Sequence, residues 1–203
     1  MENLIQTTTK LAIHIAGAYV RPESLVIDAT CGNGGDTLQL AAMNPARPIA
    51  FDREPEAVRI TREKLTAHGY AKAMQDGHIT AICLPHERMA EYFKSPAAGD
   101  GITPTADLIV FNLGYLPGAD RRTATSAETT LPAVRQALNL LAENGLLCIT
   151  MYSGHEAGKK EKSALLAFAE ELDSHLWHTA HIRTPNQKKD PPEILLITRK
   201  RVR

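Results

Sequence analysis

The chain has 203 residues, 43% of them hydrophobic and 23% charged, which suits one globular domain over residues 1–203 and excludes a disordered or low-complexity chain. Lys plus Arg and Asp plus Glu number 23 each, so net charge is zero; that argues against strong non-specific nucleic-acid binding but leaves room for a local basic patch. No apolar run approaches the roughly 20 residues that span a bilayer, and Met1–Val20 mixes Glu2, Gln6, Lys10 and His14 into its apolar positions, unlike a signal peptide. In chain order, a helix is expected over 4–20, then strand Leu25–Thr30, helix 35–43, strand Pro48–Asp52 and helix 55–68 with Pro55 in its first turn. Strand Ile79–Leu84, helix 87–94, strand Asp107–Leu113 and helix 128–143 follow, with Asn144-Gly145 read as a helix stop. Strand Gly145–Tyr152 and helix 157–173 complete five βα repeats. These strands are continuous apolar runs, as expected for a parallel sheet covered on both faces. Leu176–Thr184 and Glu193–Arg199 are joined by too few residues for a crossover helix, so they should pair as an antiparallel hairpin. The fold class expected is therefore α/β: a doubly wound, Rossmann-like seven-stranded sheet ending in that hairpin, with Ser95–Thr105 as a surface loop and no domain boundary.

Cys31, Cys83 and Cys148 are far apart and form no CxxC pair, and the eight histidines form no HxxxH pair, so no metal site is expected. The composition reads as a reduced, cytoplasmic protein whose cysteines pack as small hydrophobes.

The most informative stretch is Asp28-Ala29-Thr30-Cys31-Gly32-Asn33-Gly34-Gly35-Asp36-Thr37. It follows a buried strand and opens a helix, where backbone N–H groups and small residues let a cofactor approach closely. Phe51-Asp52 ends the next strand at the spacing of a ribose-binding acid. A dinucleotide site is the rival reading, but the third glycine of GxGxxG is replaced by Thr37. Asp28 and Asp36 should repel a pyrophosphate and attract a cation, which suits the sulfonium and ammonium of S-adenosylmethionine. His86-Glu87, after the third strand, are placed to reach the adenine edge, although Glu87 equally suits a helix's first turn.

Strand four runs into Asn112-Leu113-Gly114-Tyr115-Leu116-Pro117-Gly118. An asparagine at the carboxyl end of a central strand lies in the crevice where doubly wound folds bind ligands. Asn112 is similar to the first residue of the Asn/Asp-Pro-Pro-Tyr/Phe motif of amino-methyltransferases, with Leu113 and Gly114 departing from the two prolines.

Together, Asp28-Ala-Thr-x-Gly-Asn-Gly-x-Asp-Thr37, Phe111-Asn-Leu-Gly-Tyr-Leu-Pro-Gly-x-Asp120, Gly154-His155-x-x-Gly158 and Asn186-Gln187…Asp190-Pro-Pro192 resemble the MnmM family, the tRNA mnm5s2U biosynthesis methyltransferases formerly filed as rRNA methylases. The resemblance spans about Val26 to Ile197. It implies a class I methyltransferase fold, S-adenosylmethionine as cofactor, and methylation of the aminomethyl group on the wobble uridine of tRNA. Carried over by position, it places Asn33, Asp36, Asp52, Glu54 and His86 on the cofactor; with Asp28, Thr30, Gly32, Gly34 and Thr37, read from the loop itself, these make the expected cofactor set, and Asn112 and Tyr115 are the catalytic candidates. Leu113, Gly114, Asp120, Tyr152, His155, Gln187, Lys188 and Lys189 fall on the substrate side. Gly35 stands where the family often has His, and Glu54 where Gln is common; a Glu still accepts from ribose hydroxyls but loses the donor.

Methyl transfer from a sulfonium is an in-line displacement that needs no metal, so the residues' main task is alignment. His155 is a candidate proton acceptor, weighed against a surface histidine. Arg121-Arg122, Lys159-Lys160 and Lys188-Lys189 follow motifs expected on one rim and could hold an anticodon stem-loop by its phosphates. Three other readings stay open on sequence alone: an rRNA base amine or small-molecule amine as acceptor, a non-catalytic RNA-binding accessory subunit, and an NAD oxidoreductase. A homodimer is compatible with the sequence but not specified by it.

Overall fold

In the computed structural model, which describes residues 3, 5–95, 105–114 and 125–201, seven strands form one sheet. They are β1 (Leu25–Asp28), β2 (Arg47–Asp52), β3 (Thr80–Cys83), β4 (Ala106–Asn112), β5 (Leu141–Met151), β6 (Trp177–Ile182) and β7 (Glu193–Arg199), in the order β3-β2-β1-β4-β5-β7-β6. The first five run parallel, with α2 (Gly35–Ala42), α3 (Pro55–Ala67), α4 (Ala71–Gln75), α5 (Met89–Lys94) and α6 (Ala127–Leu140) between them and α7 (Glu156–Glu170) between β5 and β6. A further helix, α1 (Thr8–Gly17), precedes β1. β7 pairs antiparallel with both β5 and β6, which is the hairpin expected from the short connection.

Period-two side-chain alternation divides each central strand between two apolar layers. Leu108 and Val110 of β4 join Ala12, Ile13 and Ala16 of α1 and Leu40 of α2. Ile109 and Phe111 face the other way, onto Ala133 and Val134 of α6 and Leu165 of α7. Because both faces are covered, the strands read as unbroken apolar runs. Fully buried side chains such as Phe51, Phe111 and Ile109 each contribute about 1.5–3 kcal/mol of transfer free energy.

The parallel strands place their carboxyl ends on one edge. Asp28 is level with Ala50 and Val110, Asp52 with Cys83, and Asn112 with Thr150. Strand order reverses between β1 and β4, so a crevice opens there, between the β1–α2 loop and Asn112. Met151 pairs with Glu193, which puts the β6–β7 connection on the same edge.

Several elements depart from expectation. Asn144-Gly145 does not stop a helix: α6 ends at Leu140, and both residues lie inside β5, where the register to β4 shifts between the Ala106 and Leu108 pairs. Asn144 has φ 60°, and a Cβ on Gly145 would sit 2.9 Å from the Ala142 carbonyl oxygen, so the pair makes a bulge in the strand. α1 is shorter than residues 4–20 because Thr7 caps it, its side chain accepting from Lys10 N. The segment expected as one helix over 87–94 splits into a 3-10 turn, His86–Arg88, and α5. The five-residue α4 has too little periodicity to be seen in sequence. Cys31 and Cys148 are buried as expected, whereas Cys83 is exposed at the end of β3. Nearly all of the loop expected at Ser95–Thr105 lies outside the described residues.

Candidate functional site

The β1–α2 loop is held from below by Asp28, which is 2% exposed. Its carboxylate accepts from Thr30 N at 3.1 Å and from Thr37 Oγ1 at 2.5 Å, tying the strand end to the first turn of α2. Burial, with repulsion from Asp36 and Asp52, pushes its pKa up to about 7. Asp28 was expected to face a ligand, but it lies beneath the loop and does not line the cavity above it. Gly34 is likewise turned to the protein: with φ 74°, it packs so closely on α3 that a Cβ would lie 2.9 Å from Thr61 Cα. Thr37 stays under the loop with Asp28 and does not reach the cavity wall.

Above the loop is a cavity of about 750 Å³, within the range of small-molecule sites. Thr30, Gly32, Asn33 and Asp36 line one wall, Asp52, Glu54 and His86 another, and Asn112, Leu113, Gly114 and Tyr152 a third. Asp52 accepts from Gly32 N at 2.9 Å and from Glu54 N at 3.0 Å, so one carboxylate joins the loop to the turn after β2. The acidic character expected of the loop is carried into the cavity by Asp36, Asp52 and Glu54, with Glu56 and Glu87, against one guanidinium among the described residues, that of Arg53. Such a surface favours a cationic ligand over a pyrophosphate.

Asn112 has the most defined geometry. Its backbone N–H donates to Thr30 Oγ1 at 2.7 Å, and its Nδ2 donates to Asp36 Oδ2 at 2.9 Å. An ionised carboxylate only accepts, so Asp36 fixes which way the amide faces. Among the described residues no donor takes Asn112 Oδ1, which leaves an oriented acceptor at the tip of β4. Burial raises the Asp36 pKa, and the Asn112 hydrogen bond pulls it back.

His86 is 7% exposed, and among the described residues its Nε2 has no hydrogen-bond partner, with Glu87 Oε2 3.6 Å away. Burial lowers its pKa, against the Glu87 and Asp52 carboxylates that raise it, and so favours the uncharged ring. A buried nitrogen that makes no hydrogen bond among the described residues, beside acidic walls, fits a ligand with both a polar heterocycle and a positive charge. Tyr152 stands across from Gly114, its hydroxyl 3.3 Å from Thr9 Oγ1.

The remaining substrate-side expectations separate. His155 caps α7, its Nδ1 accepting from Gly158 N at 2.9 Å, and does not line the cavity. That bond occupies the nitrogen lone pair a proton acceptor would need. Gln187, Lys188 and Lys189 lie in the exposed β6–β7 connection, away from the cavity wall but on the same edge of the sheet. Lys159 Nζ, 3.6 Å from Asp190 Oδ2, bridges α7 to that connection. Tyr115, Asp120, Arg121 and Arg122 lie outside the described residues. Sequence reasoning missed Thr125 and Thr129, which complete the wall beside Gly114; no local motif marks them. Among the described residues, no group of His, Cys, Asp or Glu could hold a metal ion, and no helix is long and apolar enough to cross a membrane.

Residues 49–198 match the family described as "Putative rRNA methylase". A relative from Arabidopsis thaliana, described as a chloroplastic tRNA (mnm(5)s(2)U34)-methyltransferase, is 28% identical over 198 residues, covering 94% of this chain and 69% of its own. A solved structure from Clostridium thermocellum, described as a "putative rRNA-methylase", superposes with TM-score 0.83 at 29% identity, over 96% of this chain and 98% of that one. A structure from Streptococcus mutans, described as "a putative methyltransferase" and solved in complex with SAH, gives TM-score 0.79 at 31% identity, over 98% and 99% of the two chains.

Proposed function

The chain belongs to the family described as "Putative rRNA methylase" and is an S-adenosylmethionine-dependent methyltransferase of the class I fold, and from that premise we propose that its acceptor is the 5-aminomethyl group of the wobble uridine in tRNA, the nm5s2U to mnm5s2U step. The observation that carries this reading is the Asn112 amide, turned by Asp36 so that its oxygen faces away as an acceptor at the edge of an acidic cavity. The name of the Arabidopsis thaliana relative, a tRNA (mnm(5)s(2)U34)-methyltransferase, supports the same acceptor.

When bound, S-adenosylmethionine supplies a methyl group activated by a sulfonium. We assign its binding to Gly32, Asn33 and Asp36 of the glycine loop, Asp52 and Glu54 after β2, and His86 after β3, all of which line the cavity. Asp28, Gly34 and Thr37 act beneath them, shaping the loop. The carboxylates of Asp36, Asp52 and Glu54 attract a cationic ligand, and His86 Nε2 offers a hydrogen bond.

On the acceptor side, an alkyl ammonium has no lone pair, so only the free-base amine can attack. Asn112 Oδ1 accepts an N–H hydrogen bond from that amine and so orients its single lone pair; a carboxamide is no base and leaves the proton to solvent. Leu113, Gly114 and Tyr152 wall the same end of the cavity. Tyr115 and Asp120 are proposed on the sequence resemblance to shape the uridine pocket, and Lys188, Lys189 and Gln187 to meet the anticodon stem-loop.

Mass spectrometry of tRNA nucleosides after incubation with the protein and S-adenosylmethionine tests the acceptor. Loss of 5-aminomethyl-2-thiouridine and gain of its N-methyl form is the expected result. Methylation of rRNA or of a small amine, with tRNA untouched, would overturn it.

A further inference from the structure

Glu161 of α7 is 3% exposed, and no basic side chain among the described residues pairs with it. A carboxylate buried without a counter-charge is costly, so its retained contacts are informative. One oxygen accepts from Thr130 Oγ1 at 2.5 Å and the other from Thr125 Oγ1 at 2.9 Å. Thr125 in turn grips Gly114: its Oγ1 accepts from Gly114 N at 3.1 Å, and its own N–H donates to Gly114 O at 3.0 Å. A hydroxyl whose lone pair is taken by Gly114 N–H must send its proton elsewhere, and Glu161 receives it. The three groups therefore form one directed chain, polarised toward the carboxylate. Thr125 and Gly114 line the cavity, whereas Glu161 does not.

We infer that Glu161 is a positioning residue which, acting through Thr125, fixes the backbone two residues after Asn112 and so sets the acceptor wall of the cavity. The inference rests on the reading that the methyl acceptor enters beside Asn112.

The test compares Thr125→Val with Thr130→Val, which remove one hydroxyl each from the same carboxylate. Only the first is bonded to Gly114. Thr125→Val should lower kcat/KM for the tRNA acceptor by about 10–100-fold, while SAH affinity stays within about twofold. It should also speed hydrogen exchange at the Gly114 amide. Thr130→Val should leave all three near wild type, even where it lowers the melting temperature. Glu161→Leu should behave like Thr125→Val. Glu161→Gln should restore function, because its amide oxygen can face Thr125 while the Thr130 hydroxyl turns to accept from its nitrogen. A Thr125→Val protein with wild-type kcat/KM and a protected Gly114 amide would overturn the inference. So would equal losses in Thr125→Val and Thr130→Val. If the wild-type protein methylates no tRNA, the acceptor reading fails, and the ranking of Gly114 exchange rates still decides the role of Glu161.

Discussion

Two polar side chains at the tips of neighbouring strands do different work because one is above the glycine loop and the other below it. Asn112 presents an oriented carbonyl to the cavity, and Asp36 holds it there. Asn112→Ala should therefore lower the methyl-transfer rate by about 100-fold, the scale of a lost orienting contact, and change SAH affinity by no more than a few-fold. Single-turnover rates beside calorimetric titration with SAH check this; a fully active variant removes Asn112 from the chemistry. Asp28 is instead a stability element with a pH signature. Its folded pKa is raised to about 7 from 3.8, so the folded protein holds this proton more tightly than the unfolded chain does. That contribution is fully present below about pH 4 and is lost as pH rises through 7. In Asp28→Asn the loss cannot occur, so the variant should gain on wild type between pH 5 and pH 8, by at most about 2.5 kcal/mol. Denaturant melts of both proteins at the two pH values measure the difference, and a pH-independent gap would contradict it.

At the level of elements, the glycine loop is built against α3 as much as for a ligand. Thr61 Oγ1 donates to the Gly32 carbonyl at 3.2 Å, and Gly34 leaves no space for a Cβ over the Thr61 backbone. Gly34→Ala combines a left-handed φ with a backbone clash, and should cost about 2–3 kcal/mol of stability and weaken SAH binding as the loop lifts from α3. Thermal unfolding with and without SAH reads both effects, and an unchanged melting temperature would disprove the close packing. The same loop shows what a sequence makes legible. Continuous apolar strands and the short 182–193 connection are local signals, so the doubly wound sheet and its hairpin can be read directly. Asp28 and Asp52 can be found by their place at strand ends, but which one faces the cavity depends on helix packing that no spacing encodes. Asn144-Gly145 has the composition of a helix stop and of a bulge alike, and pairing with β4 decides between them. Glu161 and Thr125 are 36 residues apart and meet only when α7 packs beside α6, so their contact leaves no sequence motif.

Across the whole molecule, zero net charge hides an uneven distribution. The cavity is acidic, while Lys159, Lys160, Lys188 and Lys189 lie near the same edge of the sheet, beyond its wall. Asp190 neutralises part of this cluster through Lys159 and anchors the β6–β7 connection against α7. Lys188 and Lys189 are exposed next to that anchor, and Lys189 is held at φ 74°. On the proposed tRNA reading, cations beside an acidic cavity would separate two tasks: phosphates would be held outside, and the neutral amine of a base would enter where a phosphate is repelled. Phosphate contacts act through counterion release, so their loss shows in salt dependence more clearly than in affinity at one ionic strength. Lys188→Ala with Lys189→Ala should weaken tRNA binding at low salt and reduce the slope of log K against log salt by about 1.5–2, the value for two phosphate contacts. SAH affinity should not change, since neither residue lines the cavity. Filter binding from low to moderate salt measures the slope; a double variant with wild-type slope and affinity would place the RNA elsewhere on the protein.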